Sequence, residues 1–272
     1  MTASGRDTPD LFETDPAPRA RDGALGSDVA APEALPPATQ PLADRLRPQS
    51  LEDVVGQDHI LAPDRPLGRM VADGRIASTI LWGPPGVGKT TIARLLAGVS
   101  NLSFVQISAI FTGVADLRKV LETARLRRGN GAGTLLFVDE IHRFNKAQQD
   151  AFLPAMEDGT IVLVGATTEN PSFELNAALL SRAQVLMMRR LDAAALALLL
   201  ERAEAAIGRP LNLTDEAREV VLAMSDGDGR VLHNIVEQVA ETETCEVDAD
   251  ALRRLVARRA AVHDKSGDGH YN

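Results

Sequence analysis

Gly83-Pro84-Pro85-Gly86-Val87-Gly88-Lys89-Thr90 is the stretch on which the reading of this 272-residue chain turns. It fits the glycine-rich phosphate-loop spacing and lies in the required context, between an apolar β run, Thr79-Ile80-Leu81-Trp82, and a helical pattern opening at Thr91. The glycines let backbone N–H groups curl around phosphate oxygens at a helix N-terminus, where the helix dipole also favours anions. Gly83, Pro84, Pro85, Gly86, Val87, Gly88, Lys89, Thr90 and Thr91 are therefore the expected nucleotide contacts. Lys89 is expected to neutralise the β and γ phosphates of ATP, and Thr90 to offer its hydroxyl to Mg2+.

Outward from this loop, short apolar runs alternate with helical patterns, as in a parallel α/β sheet. Expected strands are 79–82, 104–107, 135–138, 161–164 and 185–188. The run Leu135-Leu136-Phe137-Val138 ends in Asp139-Glu140, about fifty residues after Lys89, as a Walker B element does. There, one carboxylate holds the metal and the next orients or deprotonates water, which assigns Asp139 to Mg2+ and Glu140 to catalysis.

Beyond Leu191 the β runs stop. Leu196, Leu199, Leu200 and Ala203 fall at helical spacing behind an Asp192 cap and before Gly208-Arg209-Pro210. Ala217, Val220, Val221 and Met224 repeat it behind Thr214. Val231, Leu232, Ile235, Val236 and Val239 mark a third helix, and Leu252, Leu255 and Val256 a fourth. The expected organisation is a disordered tail over 1–40, an α/β domain over 41–190, an all-helical domain over 191–262 and a linker over 263–272.

Composition excludes several classes. A formal net charge of −9 argues against coating nucleic acid through bulk positive potential, so any DNA contact needs local patches. Candidates are Arg125, Arg127 and Arg128, and Arg253, Arg254, Arg258 and Arg259, although charge runs are more often solvated helical faces. Cys245 is the only cysteine, which forbids an internal disulfide, and no Cys/His cluster has zinc spacing. No run approaches the ~20 apolar residues of a membrane helix and no signal sequence opens the chain, so a cytoplasmic location is expected. In the Pro/Ala-rich tail, Asp10-Leu11-Phe12 reads either as a stray apolar pair or as a short peptide that docks on a sliding clamp. His142, His233 and Trp82 carry no assigned chemistry.

Five segments together resemble the RarA/MgsA family of replication-associated recombination ATPases, kin to clamp-loader subunits and the Holliday-junction motor. They are Pro41-Leu42-Ala43-Asp44-Arg45-Leu46-Arg47-Pro48, Val55-Gly56-Gln57, Ile80 to Gly86, Asp139-Glu140-Ile141-His142-Arg143-Phe144-Asn145-Lys146 and Gly165-Ala166-Thr167-Thr168-Glu169-Asn170-Pro171-Ser172-Phe173. The resemblance implies a three-layer α/β P-loop AAA+ domain with a parallel five-stranded sheet, followed by a small all-helical lid. It implies Thr168, with Thr167 beside it, at the sensor that positions attacking water. Arg182, in Ser181-Arg182, takes the place of an arginine that reaches into a neighbour's ATP site. Arg230 takes that of the lid sensor for the γ-phosphate. Val55 and Gly56 border the adenine, and Ser108 stands where relatives carry a polar partner for the catalytic glutamate.

The resemblance also implies DNA, forked or at single-strand/duplex junctions, as substrate, and a sliding clamp or single-strand-binding protein as partner. His263 to Asn272 looks like the family's linker into a further helical domain associated with tetramers, so a weakened homo-oligomer is expected. Two other readings stay open. Phe111-Thr112-Gly113 follows the second strand, where unfoldases place an aromatic pore loop. Alternatively, ATP drives a clamp-loader-like switch that loads or unloads a replication protein.

Overall fold

The structure, a computed structural model, describes residues 40–242 and 246–257. The tail with Asp10-Leu11-Phe12, Cys245, Arg258, Arg259 and the segment 263–272 lie outside the described residues. In chain order the elements are α1 (Leu42–Arg45), α2 (Asp58–Leu61), α3 (Pro66–Ala72), β1 (Thr79–Trp82), α4 (Lys89–Val99), β2 (Ser103–Ser108), α5 (Val114–Gly129), β3 (Thr134–Asp139), α6 (Lys146–Asp150), α7 (Leu153–Glu157), β4 (Ile161–Thr167), α8 (Pro171–Glu174), α9 (Ala177–Leu180), β5 (Gln184–Met187), α10 (Ala193–Ile207), α11 (Asp215–Ser225) and α12 (Gly229–Ala240). A further helical segment covers 249–257. No helix among the described residues is long and apolar enough to cross a membrane.

The five strands form one parallel sheet in the order β2-β3-β4-β1-β5. Parallel strands need crossover connections, and helices that cover both faces turn the inner strands into near-continuous apolar runs. Successive side chains point to opposite faces, so each strand feeds two cores. Ile80, Leu136, Val138 and Leu163 pack with Leu117 and Leu121 of α5, Phe152 before α7 and Leu179 of α9. Their neighbours Leu81, Leu135, Phe137 and Val164 pack on the other side with Ile60, Leu67, Ile92 and Leu96. Phe137 is fully buried, and cutting it to alanine would cost about 3 to 5 kcal/mol. The result is the helix–sheet–helix sandwich expected from the sequence.

Gly165 in β4 is a point of close approach. A Cβ there would lie 2.8 Å from side-chain carbons of both Ile141 and Ile80. Its absence lets the 3-10 turn Ile141–Arg143 settle directly on the strand.

A third core belongs to the helices after Leu191. Leu196, Leu199, Leu200, Ala203, Ala217, Val221, Leu232, Ile235, Val236, Val239 and Leu252 are buried together. Asp192 caps α10 by accepting from Ala195 N at 2.8 Å, and Thr214 caps α11 by accepting from Ala217 N at 3.2 Å. Two residues expected in the core face solvent instead: Met224 and Val231 are both exposed. Each lies at the margin of its helix's apolar stripe, which is narrower than the spacing alone implies. Leu42 of α1, grouped by sequence with the α/β part, packs into this helical core, and its N–H donates to Glu237 Oε1 at 3.1 Å.

Candidate nucleotide-binding and hydrolysis site

The loop Gly83 to Thr90 joins the C-terminal end of β1 to α4. The first N–H groups of an α-helix have no partner within the helix, so α4 presents unsatisfied donors at its N-terminus, beside this loop. The root of the loop is tied to the sheet, since Gly83 N donates to Thr167 O at 3.1 Å. Its crown is tied to the lid, since Gly229 N, at the start of α12, donates to Gly86 O at 3.1 Å. Gly86 is required there twice over. Its φ is +66°, and a Cβ would fall 1.6 Å from Asp228 Oδ1.

Lys89 is buried, and its Nζ donates to Gly83 O and Pro84 O, each at 2.7 Å. Burial pushes its ammonium below the usual lysine range. The carboxylates of Glu140, Asp139 and Asp228 oppose that shift, and the Arg230 guanidinium adds to it. Four charged groups from β3 and the lid thus act on one cation at the start of α4. Thr90 and Thr91 are half-buried on the first turn of α4, and Arg47 Nη1 reaches Thr91 Oγ1 at 3.5 Å.

Asp139 closes β3, opposite Ser108 of β2 in the parallel register, and Ala109 N donates to Asp139 O at 2.9 Å. Glu140 has left-handed backbone angles, φ 52° and ψ 45°, at the entry to the Ile141–Arg143 turn. A non-glycine residue pays roughly 1 to 2 kcal/mol for that conformation, which breaks the strand and re-aims the carboxylate. Glu140 Oε2 lies 3.4 Å from His142 Nδ1, which is 2.9 Å from Thr167 Oγ1.

Of the two candidate sensor threonines, Thr167 is buried at the end of β4 and bonds to His142. Thr168 is exposed one residue further on. Arg230 is exposed on the first turn of α12, and its backbone N–H joins that of Val231 in donating to Asp228 Oδ1. Val55 and Gly56 lie beside the junction of sheet and lid. Gly56 packs against Leu191 and Ala195, and Gln57, fully buried, exchanges two hydrogen bonds with the Arg189 backbone at 2.8 and 3.2 Å.

Arg182 is elsewhere. It precedes β5, whose first residue Gln184 pairs with Thr79, the first residue of β1. The phosphate loop leaves the other end of β1, and a four-residue strand is about 13 Å long. Arg182 Nε and Nη2 bind Glu157 Oε1 at 2.7 and 2.5 Å, at the opposite end of the strands from its own Lys89.

Three participants escape a reading of the sequence alone. Asp228 carries a signal, being a helix cap one residue before Gly229-Arg230. Gln57 stands out only through resemblance. His142 gives no sign, because neither the left-handed turn at Glu140 nor the contact across to β4 is visible in spacing.

The ATPase family associated with various cellular activities matches residues 79–191, and the AAA C-terminal domain matches 207–272. Replication-associated recombination protein A of Escherichia coli K12 is 44% identical over 246 residues, covering 86% of this chain and 55% of that protein. The Bacillus subtilis protein of the same name is 35% identical over 245 residues, covering 86% and 57%. The chain thus spans about half the length of these curated relatives. Among solved structures, the Thermotoga maritima RuvB Holliday junction branch migration motor superposes with a TM-score of 0.64 at 28% identity, covering 78% of this chain and 72% of that one.

Proposed function

The chain belongs to the AAA ATPase family, in the branch of replication-associated recombination protein A, and from that premise we propose that it binds and hydrolyses ATP with Mg2+ and couples turnover to DNA at stalled or recombining replication forks. The observation that carries the chemistry is the buried Lys89 cation, flanked by Asp139, Glu140, Asp228 and Arg230 at the start of α4. Triphosphate charge is the ligand that such a desolvated cation and helix N-terminus jointly favour.

In this reading Lys89 meets the β and γ phosphates, while Val55 and Gly56 border the adenine. Thr90 and Asp139 would hold the magnesium ion, which when bound supplies positive charge against the phosphate oxygens. Glu140 accepts a proton from the water that attacks the γ-phosphorus, as the bond to the β-phosphate oxygen breaks and ADP leaves. Thr167 and Thr168 line the water's side, and Arg230 reaches the γ-phosphate from the lid. Arg182 serves a neighbouring copy, so the working form is a homo-oligomer. The protein acts in the cytoplasm, in contact with a clamp or single-strand-binding protein.

The test is the rate of ATP hydrolysis measured with single-stranded, duplex, forked and gapped DNA and with an unfolded protein. Stimulation greatest on forked or gapped DNA is expected. Lys89→Ala is expected to abolish Mg-ATP binding, and Glu140→Gln to keep binding while stopping turnover. Equal loss of affinity in both variants would refute the two roles. Phe111, 87% exposed after β2, favours a second reading as a polypeptide-threading motor, and stimulation only by the unfolded protein would establish it.

A further inference from the structure

His142 occupies a place in the site that no linear motif assigns to it. Its side chain is only 7% exposed, held by the 3-10 turn that Gly165 allows to press on β4. Its Nδ1 stands between two oxygens, Thr167 Oγ1 at 2.9 Å and Glu140 Oε2 at 3.4 Å.

The hydrogen-bond inventory favours the imidazole proton on Nδ1. A threonine hydroxyl has one proton to give and two lone pairs. Thr167 Oγ1 accepts from Glu169 N at 3.0 Å and lies 3.2 Å from Glu169 O, an acceptor only. If its proton goes to Glu169 O, the remaining lone pair needs a donor, and His142 Nδ1–H is at hand. A carboxylate likewise only accepts, so a bare Nδ1 facing Glu140 would set lone pair against negative charge. With the proton on Nδ1, every one of these groups is satisfied.

Resting on the ATPase reading, we propose that His142 is a positioning residue for Glu140: its Nδ1–H, shared between Thr167 and the Glu140 carboxylate, couples the general base to the end of β4. That end is bonded to the root of the phosphate loop through Gly83 N and Thr167 O, at 3.1 Å. The loop, the strand end, the imidazole and the carboxylate therefore form one connected path. His142 itself touches no phosphate. Its task is to fix which way the Glu140 carboxylate faces when water is to be activated, as the outer partners of a catalytic group orient that group.

The decisive measurement is steady-state ATP hydrolysis by the full chain, with Mg-ATP affinity measured in parallel by calorimetry. His142→Ala is expected to lower kcat by about 10- to 100-fold with KM and affinity unchanged, the usual cost of losing an orienting partner. His142→Asn, whose amide nitrogen falls near the place of Nδ1, is expected to recover most of that loss. His142→Gln, which sets its nitrogen near Nε2, is not. Imidazole nitrogen NMR of the unmodified chain is expected to show Nδ1 protonated, and this holds as a test even if the alanine variant folds poorly.

Asparagine no better than alanine, or a protonated Nε2 with bare Nδ1, would overturn the proposal. Normal turnover in His142→Ala would overturn it while leaving the ATPase reading standing. Absence of any Mg-dependent turnover in the unmodified chain would remove both.

Discussion

Replacing Arg182 by alanine is expected to separate what a subunit does alone from what it does for a neighbour in the proposed homo-oligomer. The ion pair it forms with Glu157 is short, but the two side chains are 39% and 53% exposed, so solvent screens it. Such a pair contributes about 0 to 1 kcal/mol, and the melting temperature of the variant is expected to fall by no more than about 4 °C. Arginine fingers contribute about 10³ to 10⁵ in rate, or roughly 4 to 7 kcal/mol of barrier. The catalytic effect therefore exceeds the structural one severalfold. Since Arg182 precedes β5, at the end of the strands opposite the phosphate loop, the loss is expected to fall on the next subunit's ATP if the arginine acts in trans. A Lys89→Ala subunit is the complement, with a working finger and no working loop. In an equimolar mixture each interface needs one intact loop and one intact finger from different subunits, so roughly a quarter of interfaces regain function. Hydrolysis would be followed for each variant alone and for the mixture over a hundredfold concentration range, with specific activity rising as subunits associate. No recovery on mixing, with activity per subunit independent of concentration, refutes a role in trans.

Two further tests address DNA and stability. The log–log salt dependence of forked-DNA affinity is expected to flatten by about 0.9 for each arginine removed at Arg125 and Arg127. A smaller change is expected at Arg128, whose guanidinium already pairs with Asp158 at 3.3 Å; an unchanged slope in all three variants would clear this face of DNA. His233 on α12 is 8% exposed, its Nε2 has no hydrogen-bond partner, and burial holds its pKa below the ordinary imidazole value. The unfolded chain takes up this proton near pH ~6.5 and the folded chain does not. Stability present above that pH is therefore lost as pH falls through the window beneath it, by at most about 1.4 kcal/mol per unit. Urea titrations at about pH 7.5 and about pH 5.5 should show a smaller loss for His233→Leu than for the unmodified chain, and equal losses would exclude His233 as the cause.

The sheet is legible because its strands are apolar on both faces, and β1 begins and ends where its four-residue run does. The lid helices are legible through caps and periodicity, which Asp192 and Thr214 bear out by their bonds to Ala195 and Ala217. The short helices α6 to α9 are not, since four or five residues carry too little periodicity to read. Within the site, linear motifs locate Lys89, Asp139 and Glu140, because loop and strand end are each contiguous in sequence. What joins Glu140 to Thr167 spans residues far apart in the chain and depends on one left-handed backbone and one missing Cβ.

The bond from Gly229 N to Gly86 O makes α12 a lever resting on the nucleotide loop. The helix has 12 residues and is therefore about 18 Å long. Its far arm carries Glu237, which holds the N–H of Leu42, and Ala240, whose carbonyl accepts from Arg209 Nη2 at 2.8 Å. A close-packed helix moves as a rod and does not bend to absorb a shift at one end. A ligand that reshaped the loop at Gly86 would thus be expected to shift the strap at Pro41-Leu42 as well, at the other end of α12.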